Sequence, residues 1–417
     1  HMITDVNTCS DRERYRRDLL DIYQAALQSV HGERAVARWL SQSDGASFAV
    51  AAIGKAAPAM MQGALRALGE RLLQGLVITR KGYADPRFAS HERIIQMESA
   101  HPVPDESSLV AGQALLDFIR DQPEKQPLLF LISGGASSLV KVLSAGISLD
   151  DLQNLNRWLL GSGLDIHAMN SLRCRISEIK GGGLLGYIAH RPTTVLLVSD
   201  VPGDDPAVIG SGLLFPSPQG KLPAHLPEWL AALPMRPPVP EQTTVPQHHL
   251  VATSAQAVAA VAQKARSLGY VAHAGYPPME GDAAEQGAAF ARSLSEAPPG
   301  VHVVGGETTV VLPPHPGRGG RNQHLALAAA REIAGRDDLL VLAAGTDGSD
   351  GPGEDAGALV DGSTWQRARD EGFDPALALE QADSGSVLEA TGDLISTGPT
   401  GTNVMDLLIG LKVPESG

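Results

Sequence analysis

The feature that most constrains this chain is a recurring motif: a short, continuously apolar run that stops at a turn of small or acidic residues and gives way to helical spacing. Phe48-Ala49-Val50-Ala51-Ala52-Ile53 stops at Gly54. Leu76-Val77-Ile78 and Ile94-Ile95-Gln96-Met97 repeat the form, Leu128-Leu129-Phe130-Leu131-Ile132 is its clearest instance, and Thr194-Val195-Leu196-Leu197-Val198 is another. Strands that are apolar at successive positions are buried on both faces, as parallel strands are. Helical stretches at 55–73, 106–121 and 149–165 lie between these runs. The alternation predicts a parallel sheet with helices on both faces, a Rossmann-like three-layer α/β domain. Ahead of it, residues 11–40 carry apolar side chains at helical spacing through Leu19, Ile22, Tyr23, Ala26 and Val30, and are expected to form a helix.

At 417 residues the chain exceeds what one hydrophobic core supports, so two domains are expected. Prolines crowd the stretch from Pro216 to Pro246, which excludes a central strand or a continuous long helix there. We read it as a partly extended crossing, with a first domain over 3–245 and a second over 246–417. In the second, residues 255–268 and 322–335 are expected helices. Val271–His273, Val301–Val304, Thr308–Leu312 and Leu339–Ala343 are expected strands. Only Gly305, Gly306 and Glu307 separate two of these, too few for a helical crossover, so the second sheet is expected to be mixed. This gives a smaller mixed-sheet α/β domain.

The net charge of −14 disfavours nucleic acid or an anionic membrane as partner. Cys9 and Cys174 fit no metal spacing or disulfide framework, which agrees with a reducing compartment. His1-Met2 is set aside as a cloning remnant. No signal-peptide pattern opens the chain and no apolar run approaches membrane-spanning length, so a cytoplasmic protein is expected. Oligomeric state is left open, a homodimer included.

Several turns could carry chemistry. Lys55 directly follows a strand and Gly54, which aims its ammonium at the carboxyl edge of the sheet, where such sheets bind ligands. Ser133-Gly134-Gly135-Ala136-Ser137-Ser138 also joins a strand to a helix, and small residues let backbone N–H groups close on a phosphate. Gly181, Gly183 and Gly186 match G-x-G-x-x-G, with Asp200 nineteen residues after the first. Residues 171–180 before them are too polar for the strand that a dinucleotide fingerprint needs. The acidic loops Asp200–Asp205 and Asp347–Asp350 follow strands and are candidates for Mg²⁺, or for solvated loop acids. Arg318 and Arg321 lie in a glycine-rich turn before a helix, suited to bidentate capture of a carboxylate or phosphate. Thr397–Asn403 is a compact polar segment able to close over a ligand.

Together these segments resemble the class II glycerate kinases, the family with a C-terminal MOFRL domain. The resemblance runs through AIGKAA around Ile53, AHPVPDE from 100, LISGGASSL from 131, SEIKGGGLL from 177, SDVPGDDP from 199, GGETTV from 305, GRGGRNQ from 317, GTDGSDGP from 345 and TGPTGTNVMD from 397. It implies ATP-dependent phosphorylation of the 2-hydroxyl of D-glycerate, with Mg²⁺ and with the site in a cleft between two α/β domains. It places the family's lysine on Lys55 and its arginine on Arg321, both toward substrate. ATP phosphates would lie on Ser133, Gly134, Gly135, Ala136, Ser137 and Ser138, with Thr400 and Asn403 also toward nucleotide. Asp200 or Asp347 would act as base or metal ligand, with Asp350 a further metal ligand. The chain departs from the family at Met405, where a second Asn is usual, and at Gly351–Glu354, where a Thr-Asp pair is commoner. Members are also labelled hydroxypyruvate reductase, an NAD(P)H-dependent alternative whose local support is the 181–186 glycines.

Overall fold

The computed structural model describes residues 3–415, with side chains from Asp11 onward. His1-Met2 and the Cys9 side chain lie outside the described residues. The chain divides into two compact units, Gly32–Ala252 and the segment up to His31 together with Thr253 onward.

The first unit holds β1 (Phe48–Ile53), β2 (Leu72–Arg80), β3 (Ile94–Ser99), β4 (Leu128–Ile132), β5 (Thr193–Val198) and β6 (Gln247–Ala252), in the order β3-β2-β1-β4-β5-β6. All neighbours are parallel. Every residue of β1 and β4 is buried, as their unbroken apolar runs require. The strand order reverses between β1 and β4, and in doubly wound sheets that reversal opens a crevice at the carboxyl edge. Ile53 pairs with both Ile78 and Ile132, so the turns after β1 and β4 leave the sheet side by side.

The second unit holds β7 (Ala272–His273), β8 (Gly300–Gly306), β9 (Leu339–Gly345), β10 (Gly357–Asp361), β11 (Leu394–Ile395) and β12 (Asp406–Lys412), in the order β11-β10-β9-β12-β8-β7. β12 lies antiparallel to both β8 and β9. The ends of β8 and β9 and the start of β12 therefore share one edge. The helix Arg321–Glu332 begins nearby and is buried continuously from Asn322 to Ala330. Its small side chains allow close packing on the helix Ala283–Glu296, where a Cβ on Gly287 would sit 2.3 Å from the Leu325 carbonyl. Among the described residues, no helix is long and apolar enough to cross a membrane.

Three expectations are corrected. The expected helix 11–40 is two helices, Ile3–Ser29 and Gly32–Leu40, and they belong to different units. The strand at 247–252 is not the opening of the second unit but the edge strand of the first, so the proline-rich crossing is a connection within one unit. Thr308–Leu312 forms only an isolated bridge, Thr309 to Asp282, and Val311 and Leu312 are exposed. The second sheet is mixed because β7 runs parallel to β8 while the other neighbouring strands, β12 among them, are antiparallel.

Candidate active site

At the crevice of the parallel sheet, two turns are tied together by their backbones. The Lys55 N–H donates to the Gly134 carbonyl at 2.9 Å, and Ser133 N–H donates to the Ile53 carbonyl at 3.0 Å. The Ser133 hydroxyl accepts from Ala56 N–H at 3.1 Å. This closeness needs glycine: a Cβ on Gly54, at φ +133°, would lie 2.1 Å from the Ser133 hydroxyl. Gly135 has φ +89°, and a Cβ there would approach the His101 ring at 3.0 Å and Lys55 Cγ at 3.4 Å. The Lys55 stem thus lies over the glycine turn. The amides of Gly134, Gly135 and Ala136 make no intramolecular hydrogen bond among the described residues. The Ser137 hydroxyl accepts from the Ser211 hydroxyl at 2.7 Å. Asp200 follows β5 on the same sheet edge, with its Oδ1 sealed from solvent.

The glycines of 181–186 do not form a dinucleotide turn. The segment ahead of them is helix, Ile166–Arg175, rather than strand. The N–H groups of Gly181, Gly182 and Gly183 are taken by the carbonyls of Ser211, Gly212 and Lys180. Those amides are closed to a pyrophosphate, and the first strand-to-helix turn of the sheet carries Lys55 instead.

In the other unit, Arg321 opens its helix on the shared strand edge. Its Nε donates to Asp406 Oδ2 at 2.6 Å and its Nη2 to Asp406 Oδ1 at 3.1 Å and Glu307 Oε1 at 2.8 Å. Burial opposes the guanidinium charge, but Asp406 and Glu307 hold it protonated above its ordinary range. Asp406 is fully buried, which raises its pKa against the opposing pull of Arg321. Nη1 is the fork nitrogen that these carboxylates leave over. Beside it lies a cavity of about 330 Å³ lined by Arg321, Glu307, Thr308, His324, Gly351 and Ser384.

Asp350 is a helix cap. Its oxygens accept the N–H groups of Asn322 and Gln323 at 2.9 and 2.8 Å. Burial pushes its pKa up to about 6 in spite of those bonds. The carboxylate that the sequence reading offered to a metal is therefore committed to the helix end. Asp347 accepts from Ser349 N–H at 3.0 Å and is nearly buried. Thr400 donates its hydroxyl to the Thr346 carbonyl, and Asn403 lies in the segment that joins Thr346 to β12 through Val404 and Met405. Among the described residues, no group of three or more His, Cys, Asp or Glu side chains is arranged to hold a metal ion.

The structure thus gathers the expected residues into two sets. Lys55, residues 133–138 and Asp200 share one edge of the parallel sheet. Arg321, Asp347, Asp350, Thr400 and Asn403 share one edge of the mixed sheet. Sequence reasoning missed Asp406 and Glu307 as partners of Arg321, and His101 over Gly135. All three lie in segments that carry the resemblance, but nothing in their local spacing marks them.

The chain is an α/β enzyme: one unit is a doubly wound sheet with a glycine turn and a lysine at its switch point, and the other is a mixed-sheet unit with a half-buried arginine on a buried aspartate. Residues 18–234 match a family described as Domain of unknown function (DUF4147), and residues 300–406 match the MOFRL family. A D-glycerate 2-kinase of Thermotoga maritima is 32% identical over 97% of this chain and 100% of its own. A glycerate kinase crystal structure from that organism superposes with a TM-score of 0.85, covering 96% of this chain and 100% of that one. A glycerate 2-kinase of Pyrococcus horikoshii is 35% identical, covering 88% of each chain. A protein of Agrobacterium vitis, named a putative hydroxypyruvate reductase, is 35% identical over 96% of this chain and 94% of its own. The chain belongs to the class II glycerate kinase family and is a kinase.

Proposed function

We propose that this kinase transfers the γ-phosphoryl group of ATP to the 2-hydroxyl of D-glycerate, giving 2-phospho-D-glycerate and ADP. The observation that carries the reading is the switch-point turn, whose unclaimed amides at 134–136 lie beneath the Lys55 stem. Phosphoryl transfer asks a protein mainly for positioning and charge neutralisation. The amides and the Ser137 and Ser138 hydroxyls hold ATP phosphates, and Lys55 neutralises the transferring group. Arg321 meets the glycerate carboxylate through Nη1, its fork being held in place by Asp406. Thr400 and Asn403 bound the nucleotide. The glycerate hydroxyl oxygen attacks the γ-phosphorus, the bond to the ADP oxygen breaks, and Asp200 or Asp347 takes the hydroxyl proton. Whichever of those aspartates is not the base would, with the nucleotide's own phosphates, hold Mg²⁺, which would supply further neutralising charge. Asp350 is left to its helix.

The test is ADP release that depends on D-glycerate. The product is then offered to enolase without a mutase, which consumes the 2-phospho and not the 3-phospho isomer. Oxidation of NADPH by hydroxypyruvate in place of ADP release would overturn the kinase reading in favour of the reductase. Lys55→Ala is expected to lower turnover by at least ~10²-fold while the protein stays folded.

A further inference from the structure

Four basic side chains gather in the parallel-sheet unit: Lys141, Arg173, Lys180 and Arg236. Lys141 and Lys180 are each only 5% exposed, and the antiparallel bridge between Leu143 and Ser177, with Glu178 N–H donating to the Val142 carbonyl at 2.8 Å, lays their segments side by side. An ammonium has donors and no acceptor, so two lysines buried side by side cannot partner each other while both are protonated. Burial and the neighbouring positive charges push both lysines below their ordinary range. Arg173 cannot shed its proton, and its hydrogen-bond partners are neutral: Asn156 Oδ1 at 3.2 Å and Asn170 Oδ1 at 3.4 Å. Arg236 donates to the carbonyls of Ser177 and Lys180. Cys174, which faces the group, brings no negative charge, because burial pushes its thiol up. Among the described residues none of the four basic groups has a carboxylate partner. In a chain of net charge −14, this is a site from which acids are excluded.

The cluster adjoins the glycine turn. The Ser211 carbonyl accepts from Gly181 N–H at 3.0 Å, next to Lys180. The Ser211 hydroxyl bonds the Ser137 hydroxyl at 2.7 Å. Lys141 follows the short helix Ala136–Leu139 that the turn opens. Buried like charges without counter-charge are unfavourable, and an anion supplied by a ligand removes that cost.

We infer that Lys141, Arg173 and Lys180 form a second oxyanion subsite, taking a phosphoryl group of the nucleotide whose other phosphates lie on the 133–138 turn. The inference rests on the kinase reading. In this arrangement the lysines regain their protons as the phosphoryl oxygens arrive, and Ser211 joins the two subsites.

The test uses the full chain. Calorimetry measures binding of a non-hydrolysable imido analogue of ATP, inorganic tripolyphosphate, orthophosphate and AMP to the wild type, Lys180→Met and Lys141→Met. The expected result is that both variants bind the analogue and tripolyphosphate at least ~10-fold more weakly while AMP binding is unchanged. Loss of tripolyphosphate binding in the variants supports the subsite whether orthophosphate is lost with it or is retained on the 133–138 turn. Without ligand, Lys180→Met should melt no lower than wild type, because an unpaired buried amine is replaced by an apolar side chain. Tripolyphosphate should then raise the melting temperature of wild type and not of the variant. Unchanged tripolyphosphate affinity in both variants overturns the subsite. So does a variant that melts well below a wild type indifferent to tripolyphosphate, since the lysines would then be structural. Loss of tripolyphosphate binding in variants of a protein that never consumes ATP with glycerate keeps the subsite and overturns the kinase reading instead.

Discussion

The Arg321–Asp406 pair shows what one residue can and cannot declare from sequence. An arginine in a glycine-rich turn ahead of a helix is visible as an anion-binding candidate. Its partner lies 85 residues away at the start of a strand, where a carboxylate looks unremarkable. Replacing Arg321 by Ala leaves Asp406 buried without its counter-charge, so it should cost roughly 3 kcal/mol in urea unfolding besides activity. Arg321→Lys keeps the charge and loses the fork, and should recover part of the stability but little of the turnover. Asp350 gives a pH signature of its own. Its folded pKa of about 6 lies above the ordinary 3.8, so the unfolded chain gives up that proton first as pH rises. The contribution from this group is complete below the unfolded value and is lost progressively up to about pH 6. At about 1.4 kcal/mol per pH unit the loss is roughly 3 kcal/mol. The stability advantage of wild type over Asp350→Asn should therefore shrink between pH 4 and pH 6 and stay level above it. An advantage that grew over that range would mean that the capping bonds outweigh burial and would contradict the raised pKa.

At the scale of the element, legibility follows burial. β1 and β4 announce themselves because strands enclosed on both faces must be apolar at every position. Thr308–Leu312 carries the same β-branched composition and forms no strand, since no neighbour offers it a ladder beyond Asp282. The helices after 362 and strands β10 to β12 escaped notice: small residues and acids interrupt their apolar runs, and β12 acquires meaning only from two partners distant in sequence. Glycine is legible as a turn but not as a contact. Gly54 and Gly181 look alike in sequence, yet one lets a lysine-bearing turn close on Ser133 and the other closes on Cys174. Gly54→Ala should force β1 and β4 turns apart and weaken ATP binding at least ~10-fold, whereas Gly203→Ala, with open space around its Cβ, should cost only the strain of its positive φ. Nucleotide titration of both variants, with circular dichroism as the folding control, separates the two effects.

At the scale of the molecule, the boundaries are what the sequence least reveals. A proline-rich stretch looks like a linker, because prolines exclude regular structure whether they join two domains or carry the chain across one. Here they lead to β6, which adds the last parallel strand before the chain leaves the unit. The N-terminal helix is equally misleading. Ile3–Ser29 precedes the first unit in sequence but packs into the second: the Tyr23 hydroxyl donates to the Gly345 carbonyl at 2.7 Å, and Arg16 pairs with Asp361 and Asp393 at 2.8 and 3.0 Å. These contacts make a dissection informative. A fragment spanning 32–252 retains all six parallel strands and is expected to unfold cooperatively in urea. A fragment ending at 245 loses β6, uncovers the backbone edge of β5, and should melt lower or aggregate. The first fragment also retains the 133–138 turn with Lys141 and Lys180, so it should keep tripolyphosphate binding while having no kinase activity. If 32–245 proved as stable as 32–252, β6 would be an ornament of the sheet, and the boundary at 245 would stand.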